Sequence, residues 1–431
     1  MNHYLIKNVS LVDGSVVDIE IENGVISKLG VNLSSAGEEI DGSGLNVFPG
    51  FVDLHTHLRE PGFEESETVL SGSRAAAKGG YTAIHPMANT NPVADNAAVV
   101  EQVQNLGIRA GYVQVQPIGA VTKGLEGKQL AELHKMNVCQ AGVSIFSDDG
   151  KCVSDALLMR RALEYVKPFG GVIAQHAQEP TMTVNAQMNE GELASKLGLA
   201  GWPSVAESAI IARDCLLAEA TGSRLHICHV STRSSVEIIR WAKAKGVKVT
   251  AEVTPHHLLL TEDLAKDYNA VYKVNPPLRG IDDVLAVREG LADGTIDIVA
   301  TDHAPHPSES KTCAWGEAAF GMLGLETAAA VVYTVMVKSG QIDLVRFQEV
   351  MSIAPAAISG LDGQGQHIAA GNPANIVLLN LDKEFVPRVK GESKSSNNPF
   401  IGEKLFGTVE HVFYEGTQTV ANGAVVELEQ K

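Results

Sequence analysis

The sequence predicts an α/β protein, a (β/α)₈ barrel with a small β-sandwich domain formed by the N- and C-terminal segments. Eight short apolar runs alternate with helical stretches through the middle of the chain, and both ends contain strand-like segments with Asn-Gly turns. The chain also has 431 residues, more than one ordinary domain. A barrel of about 250–300 residues plus a smaller companion accounts for this length.

The two ends of the chain show the alternation of apolar and polar residues that is typical of strands. In each end the alternation is interrupted by an Asn-Gly pair, Asn23-Gly24 and Asn422-Gly423, which favours a two-residue hairpin turn. We therefore expect residues 1–50 and 365–431 to form one small β domain, and residues 51–364 to form a TIM-type barrel. The polar segment KGESKSSNNPF (390–400) is expected to be an exposed loop.

Composition limits the class of protein. The formal net charge is −17, so nucleic acid and anionic lipid surfaces would repel the chain, although a small anionic substrate could still bind a locally positive pocket. The five cysteines form no CxxC pair, the start has no signal-peptide pattern, and no apolar run reaches about 18 residues. These features predict a cytoplasmic protein without disulfides or a membrane span.

Polar side chains lie near the C-terminal ends of the predicted barrel strands, where this architecture places its active site. They are His55, His57, Asn89, Asp149, His176, His229 and Asp302. Side chains at i and i+2 of a strand share a face, so His55 and His57 can bind one metal ion. Four histidines with nearby carboxylates suit two zinc ions a few ångströms apart, with Asp302 as a candidate general base.

Each of these residues also has a structural interpretation. The strand histidines could be hydrogen-bonded core residues, as we interpret His85 and His226, and the Asp148-Asp149-Gly150 run could be an ordinary turn. Asp302 could cap a helix or close a loop.

Arg59 has two interpretations. Two residues after His57, its side chain is expected on the same side of the strand as that of His57. It could therefore bind a substrate carboxylate through two hydrogen bonds. Alternatively, it could form a salt bridge with Glu60 or Glu64 on the barrel rim.

In its motifs the chain resembles the amidohydrolase superfamily, and within it the class I dihydroorotases of bacteria. The matching segments are DLHTHLREPG (53–62), MANTNP (87–92), FSDDG (146–150), QH (175–176), CHVST (228–232), VNPPLR (274–279), TDHAPH (301–306) and FG (320–321). The resemblance covers essentially the whole chain. It implies zinc-dependent, reversible ring opening of L-dihydroorotate to N-carbamoyl-L-aspartate in pyrimidine (UMP) synthesis.

The resemblance also implies metal ligands. His55 and His57 would bind the inner zinc, His176 and His229 would bind the outer zinc, and Asp149 with a hydroxide would bridge the two ions. Asp149 is preferred to Asp148 because the family's bridging aspartate stands 27 residues before the strand-five histidine, and 176 − 149 = 27. GVSIFSDDG offers no lysine before the Asp pair, which favours the aspartate-bridged class over relatives with a carboxylated lysine. Asp302 would be the acid/base residue and would touch the inner zinc.

The implied substrate-binding residues are His57, Arg59, Asn89, Asn275, His306, Phe320 and Gly321. Of these, Arg59, Asn89 and His306 would bind the substrate carboxylate, and Asn275 with the backbone of residues 320–321 would bind the ring amides. Residues 303–317 are expected to act as a lid. The chain departs from the family at Ala88, where proline is usual, and at Ala177-Gln178-Glu179, where a Cys-Glu-Asp-like stretch is common.

Two alternative functions stay open at this point. One is a hydantoinase, dihydropyrimidinase or allantoinase, for which the carboxylate-binding role of Arg59 is the discriminating feature. The other is a catalytically inactive homologue that acts as a structural partner of aspartate transcarbamoylase. A homodimer and an association of the active enzyme with aspartate transcarbamoylase are also compatible with the resemblance.

Overall fold

The computed structural model describes residues 3–429. In chain order its strands are β1 (His3–Ser10), β2 (Val16–Glu22), β3 (Val25–Gly30), β4 (Glu38–Asp41), β5 (Asn46–Pro49), β6 (Phe51–Thr56), β7 (Tyr81–Pro86), β8 (Gln114–Val115), β9 (Ile145–Ser147), β10 (Val172–Gln175), β11 (Met188–Asn189), β12 (Gly201–Trp202), β13 (Arg224–Ile227), β14 (Val249–Val253), β15 (Ile298–Val299), β16 (Ile376–Phe385), β17 (Leu405–Tyr414), β18 (Thr417–Ala421) and β19 (Ala424–Val425).

The α-helices mostly follow the barrel strands. They are α1 (Val69–Lys78), α2 (Ala97–Ala110), α3 (Leu133–Val138), α4 (Ala156–Val166), α5 (Glu192–Leu197), α6 (Val205–Thr221), α7 (Arg233–Ala244), α8 (Pro255–Leu259), α9 (Ile281–Asp293), α10 (Ala328–Val332), α11 (Leu344–Gln348) and α12 (Ala354–Ser359). Several begin at a side-chain cap that satisfies a free backbone N–H group, such as Thr68 before α1 and Asn96 before α2. No helix within residues 3–429 combines the length and apolar character needed to cross a membrane.

Eight parallel strands form the predicted barrel. Strands β6–β7–β8 pair in one run, and β9–β10–β13–β14–β15 pair in a second. The parallel bridges Gly119–Phe146 and Thr56–His303 join the two runs at both ends and close the barrel. The barrel prediction is therefore confirmed.

A compact set of apolar side chains fills the barrel interior. The set includes Val52 and Leu54 from β6, Ala83 from β7, Ile145 from β9, Val172 and Ala174 from β10, and Ile298 from β15. Because side chains from well-separated strands meet in one cluster, they point inward and pack against one another. The polar side chains at the C-terminal ends of the strands are therefore supported by a close-packed apolar layer.

The two ends of the chain form one β domain, as predicted. Strands β1–β5 and β16–β19 belong to one nine-stranded sheet, in which β16 pairs with β5. The rings of Tyr4 on β1 and Phe413 on β17 are only 5.1 Å apart, although two strands lie between them in the sheet. Neighbouring strands are about 4.8 Å apart, so the sheet must fold over itself into a sandwich. The exact limits of the two domains stay predictions.

Both predicted Asn-Gly hairpin turns are present. Asn23 and Gly24 connect β2 to β3 with φ of 54° and 85°, and Asn422 and Gly423 connect β18 to β19 with φ of 50° and 73°. Two consecutive residues with positive φ are the requirement of the tight hairpin turn that Asn-Gly favours.

The prediction that residues 390–400 form an exposed loop is correct for the loop but only partly for its exposure. Ser393, Ser395 and Asn397 are buried, with exposed fractions of 7%, 6% and 3%. These polar residues can be buried because each forms hydrogen bonds with loops of the barrel. Polar composition alone did not reveal this.

An aromatic cluster joins the β domain to the barrel. The buried ring of Phe347 on α11 packs edge-on against Phe48 of β5, at 5.4 Å, and against Phe51 of β6, at 5.7 Å. Such pairs combine buried apolar area with favourable ring geometry.

We predict that Phe347→Ala lowers the free energy of unfolding by about 3–5 kcal/mol, because it leaves a cavity at this junction. Urea unfolding would measure the change. Val345→Ala is the control, since Val345 lies on the same helix with 55% of its surface exposed, and should change stability by less than about 0.5 kcal/mol. Equal effects of the two substitutions would contradict the packing role.

Candidate metal centre and active site

The six residues predicted as metal ligands converge at the C-terminal end of the barrel. They are His55, His57, Asp149, His176, His229 and Asp302, and none is more than 5% exposed. Each lies at or just after the end of a barrel strand, β6, β9, β10, β13 or β15. The barrel therefore brings together side chains that are up to 247 residues apart in the sequence (302 − 55 = 247).

Asp149 lies at the centre of this cluster. Its Oδ1 atom is 3.4 Å from His55 Nε2 and 3.3 Å from both His176 Nδ1 and His229 Nε2. Its Oδ2 atom is 3.4 Å from His57 Nε2. The carboxylate thus stands between two pairs of imidazoles, one from β6 and one from β10 and β13.

Asp148 points elsewhere. Its carboxylate accepts hydrogen bonds from the backbone N–H groups of Val121 and Thr122, at 2.8 and 2.9 Å. It fixes the loop after β8 and does not contact the histidines.

Hydrogen bonds on the far side of the rings determine which nitrogen faces Asp149. His55 Nδ1 lies 2.6 Å from the Glu252 carboxylate, and His57 Nδ1 lies 3.0 Å from Asn89 Oδ1. His176 Nε2 lies 2.8 Å from Gln178 Oε1, which also accepts from Asn275. Because these partner oxygens are acceptors, the ring nitrogens bonded to them carry the protons. In the neutral imidazoles the nitrogens facing Asp149 are therefore lone-pair donors.

This arrangement fits metal ions. Neutral imidazole nitrogens lie 3.0–3.5 Å from carboxylate oxygens here, with the lone pairs of both groups facing each other. The nitrogens and the oxygens repel each other unless a proton or a cation lies between them. His55 Nε2 is buried and has no hydrogen-bond partner among the residues that the structure describes. The ligand atoms of His55, His57 and Asp149 all lie within 4.8 Å of one another, as do those of Asp149, His176 and His229. Neutral imidazole and carboxylate are suitable zinc donors.

The charges in the cluster keep its carboxylates ionised. Burial alone raises the pKa of Asp149. Where protons rather than a metal cation lie between these groups, the positive charge of His55 and hydrogen bonds from His176 and His229 outweigh burial, so the pKa lies well below the usual range. For Asp302, burial is likewise outweighed by His55 and by a hydrogen bond with His57, so its pKa is also lowered. Asp302 is therefore a carboxylate at neutral pH.

Three residues of the site have backbone conformations that non-glycine residues seldom adopt. Arg59, His229 and Asp302 have φ of 63°, 33° and 47°. Such conformations cost about 1–3 kcal/mol each and persist where the surrounding structure imposes them. Here the carbonyl oxygen of His303, next to Asp302, accepts a 2.9 Å hydrogen bond from His57 N–H. This bond links the end of β6 to the segment that follows β15.

Four of the residues predicted to bind substrate are more exposed than the cluster. Arg59, Asn89, Asn275 and His306 are partly exposed. Arg59 donates through Nε to Pro305 O at 3.2 Å, and Asn275 Oδ1 has no hydrogen-bond partner in the described part of the chain. His306 Nε2 is 2.8 Å from Phe320 O.

The backbone of Phe320 and Gly321 is already partly engaged within the protein. Phe320 O contacts His306, Gly321 N–H donates to Lys273 O at 2.9 Å, and Gly321 O accepts from Asn397 at 3.2 Å. Carbonyl oxygens can accept a second hydrogen bond, so their contact with substrate stays a prediction.

Residues 303–317, predicted to be a lid, are packed down in this structure. The ammonium group of Lys311 donates to the carbonyls of Ala270, Lys273 and Ala319 at 2.7–3.0 Å. Lys273 Nζ in turn donates to Trp315 O at 2.6 Å. Movement of this segment stays a prediction.

The sequence interpretation missed Glu252. This residue on β14 is fully buried, and its carboxylate accepts from His55 Nδ1 at 2.6 Å and from the backbone N–H of His229 at 3.1 Å. Its other oxygen lies 3.0 Å from His226 Nε2. His226 is therefore not one of the clustered ligand candidates. It contacts the Glu252 carboxylate and orients it, and this carboxylate in turn orients the His55 ring. A charged residue within the apolar strand VTAEV was the available signal.

We predict that Glu252→Gln lowers zinc affinity about 10–100-fold, because it weakens the hydrogen bonds that orient His55 and the His229 backbone. Competition with a chromogenic chelator, starting from metal-free protein, would measure this. The exposed Glu289→Gln should bind zinc like the wild type. Unchanged affinity in Glu252→Gln would show that the contact does not support metal binding.

Comparisons with known proteins agree with this site. Residues 44–235 match the family model described as dihydro-orotase-like. The chain is 59% identical to the dihydroorotase of Leifsonia xyli subsp. xyli, with 98% of this chain and 97% of that protein covered. It is 57% identical to the dihydroorotase of Streptomyces coelicolor, with 98% and 99% covered.

A similar solved structure is the L-hydantoinase (dihydropyrimidinase) from Arthrobacter aurescens, with 27% identity, a TM-score of 0.88, and 99% and 98% of the two chains covered. The structural likeness thus extends across related cyclic amide hydrolases, whereas high identity over nearly the full length is found with dihydroorotases. The chain therefore belongs to the dihydroorotase family of the amidohydrolases.

Proposed function

We propose that the protein catalyses the zinc-dependent, reversible hydrolysis of L-dihydroorotate to N-carbamoyl-L-aspartate in pyrimidine synthesis. The observation that carries this proposal is the position of Arg59 beside a histidine–carboxylate cluster in a chain of this family; within residues 3–429 this cation has no carboxylate partner. Dihydroorotate combines the two features that this site would recognise, a carboxylate and a cyclic amide.

The contacts of Arg59 favour an acidic substrate. Among residues 3–429, Arg59 forms no ion pair with Glu60 or Glu64; Glu60 instead accepts from Val69 N–H and Glu64 from Gly62 N–H. Burial lowers the pKa of Arg59 to about 10, so the guanidinium is charged at neutral pH. A partly buried cation with free N–H groups is suited to bind a carboxylate.

The residues divide into metal ligands and an acid/base residue. His55 and His57 would hold one zinc ion, His176 and His229 a second, and Asp149 would contact both. When bound, zinc supplies Lewis-acid polarisation of the substrate carbonyl and a water that is nucleophilic at neutral pH. The number of ions is part of the proposal.

Asp302 would transfer the proton. As a carboxylate, it accepts a proton from the water that attacks the ring carbonyl carbon. It then donates that proton to the ring nitrogen as the C–N bond breaks, which leaves a carbamoyl group and a carboxylic acid. The acid ionises to the carboxylate and releases its proton to solvent. The Asp302 carboxylate lies 3.0 Å from His57 Nε2, at the edge of the ligand cluster, which supports this role.

The alternative functions are less well supported. A hydantoinase or allantoinase acts on a neutral ring and has no need for a carboxylate-binding Arg59. An inactive homologue need not keep the ligands, yet all six ligand candidates are present and close together.

Further aspects remain proposals. We propose a cytoplasmic location, which the five unpaired cysteines support. A homodimer and association with aspartate transcarbamoylase are proposed on the resemblance alone.

We predict that chelation abolishes hydrolysis of dihydroorotate and that added zinc restores it, with hydantoin and allantoin hydrolysed far more slowly. Ring opening can be measured by the loss of ultraviolet absorbance for each substrate. Faster turnover of hydantoin than of dihydroorotate would contradict the proposed substrate.

We predict that Asp302→Asn lowers the turnover rate about 10²–10⁴-fold, because the amide cannot accept the proton. Zinc content, measured by elemental analysis, distinguishes this effect from loss of metal. Near wild-type turnover in the zinc-loaded variant would refute the role of Asp302.

A further inference from the structure

Residues 391–398, part of the connection between β16 and β17, run alongside the barrel loops that carry the proposed substrate-binding residues. We call this segment the strap. Its burial alternates: Ser393, Ser395 and Asn397 are buried, whereas Lys394 and Ser396 are exposed. The buried side chains are all polar, and each is hydrogen-bonded to the barrel.

The first part of the strap fixes the loop that contains Arg59. The hydroxyl of Ser395 donates to Ser66 O at 2.8 Å. The backbone N–H of Lys394 donates to the buried Glu67 carboxylate at 3.1 Å, and the Ser393 hydroxyl donates to the same carboxylate. Glu67 also lies 3.4 Å from the ring of His303, next to Asp302.

The second part fixes the loops of His306 and Gly321 through one side chain. Asn397 Nδ2 donates to Ala304 O at 2.9 Å and to Gly321 O at 3.2 Å, while its Oδ1 accepts from His306 N–H at 3.2 Å. Both amide protons and the oxygen are used, which also fixes the orientation of the amide. The backbone carbonyl of Asn397 accepts from Leu323 N–H at 3.1 Å.

The two loops fixed by Asn397 approach each other closely. A Cβ atom on Gly321, where φ is +144°, would lie 2.7 Å from Ala304 Cβ and 2.8 Å from His306 Nε2. The ring of His306 also contacts Phe320 O. A small change in the spacing of these loops would therefore displace His306.

We propose that the strap sets the relative positions of Arg59 and His306, and that Asn397 is its principal positioning residue for substrate binding. This inference rests on the proposed function, because it assigns the substrate carboxylate to Arg59 and His306. Asn397 hydrogen-bonds to none of the six ligand candidates. Its loss should thus affect substrate binding more than zinc binding.

The first test compares Asn397→Asp with Asn397→Ser. The aspartate has nearly the same shape but presents a carboxylate oxygen to two carbonyls, and the serine is neutral but too short to make all three hydrogen bonds. We expect either variant to raise KM for dihydroorotate about 10–100-fold, with a smaller change in kcat and wild-type zinc content. Ser396→Ala, at the exposed neighbouring position, should leave KM unchanged. If the aspartate variant fails to fold, the serine variant provides the test.

The second test does not depend on the substrate. Hydrogen exchange in the zinc-loaded protein should be faster at the His306 amide in Asn397→Ser, which loses the Oδ1 acceptor of that amide, but not in Ser396→Ala. Unchanged exchange, or a KM equal to that of Ser396→Ala, would overturn the proposal. If wild-type protein with zinc failed to hydrolyse dihydroorotate while exchange responded as expected, the proposed function would fail and the positioning of the loops by Asn397 would stand.

Discussion

The structure depends on one electrostatic constraint, the burial of the Asp149 carboxylate among four imidazoles. In three of the rings, the nitrogen farther from Asp149 is hydrogen-bonded to an acceptor oxygen. The nearer nitrogen of each ring therefore directs a lone pair toward Asp149. Acceptors that face acceptors in a buried site require positive charge between them. A cation-binding centre follows from this pattern of hydrogen bonds, and the other features of the site serve to maintain it.

The barrel maintains the pattern. The strand ends bring the histidines and acids together, and neighbouring polar residues orient the rings. Glu252 hydrogen-bonds to His55, Asn89 to His57 and Gln178 to His176. Arg59 and His306 are partly exposed. The C-terminal segment contributes Asn397, which hydrogen-bonds to the loop of His306, so the β domain is structurally connected to the site.

Much of this could be predicted from the sequence, because strand periodicity and barrel geometry together specify where strand ends lie. The clustering of His55, His57 and His176 follows from their places at the ends of apolar strands. Glu252 and Asn397 could not be identified in the same way. Glu252 acts through hydrogen bonds to residues on two other strands, and Asn397 lies in a polar segment whose burial depends on tertiary contacts that composition does not encode.

We propose that these side chains hold metal on both sides of Asp149. Anomalous diffraction at the zinc absorption edge, from crystals of zinc-loaded protein, tests it most directly. We expect one peak between His55 and His57 and a second between His176 and His229, with the Asp149 carboxylate between the peaks. Zinc peaks found only elsewhere on the protein, with none inside the cluster, would contradict the account.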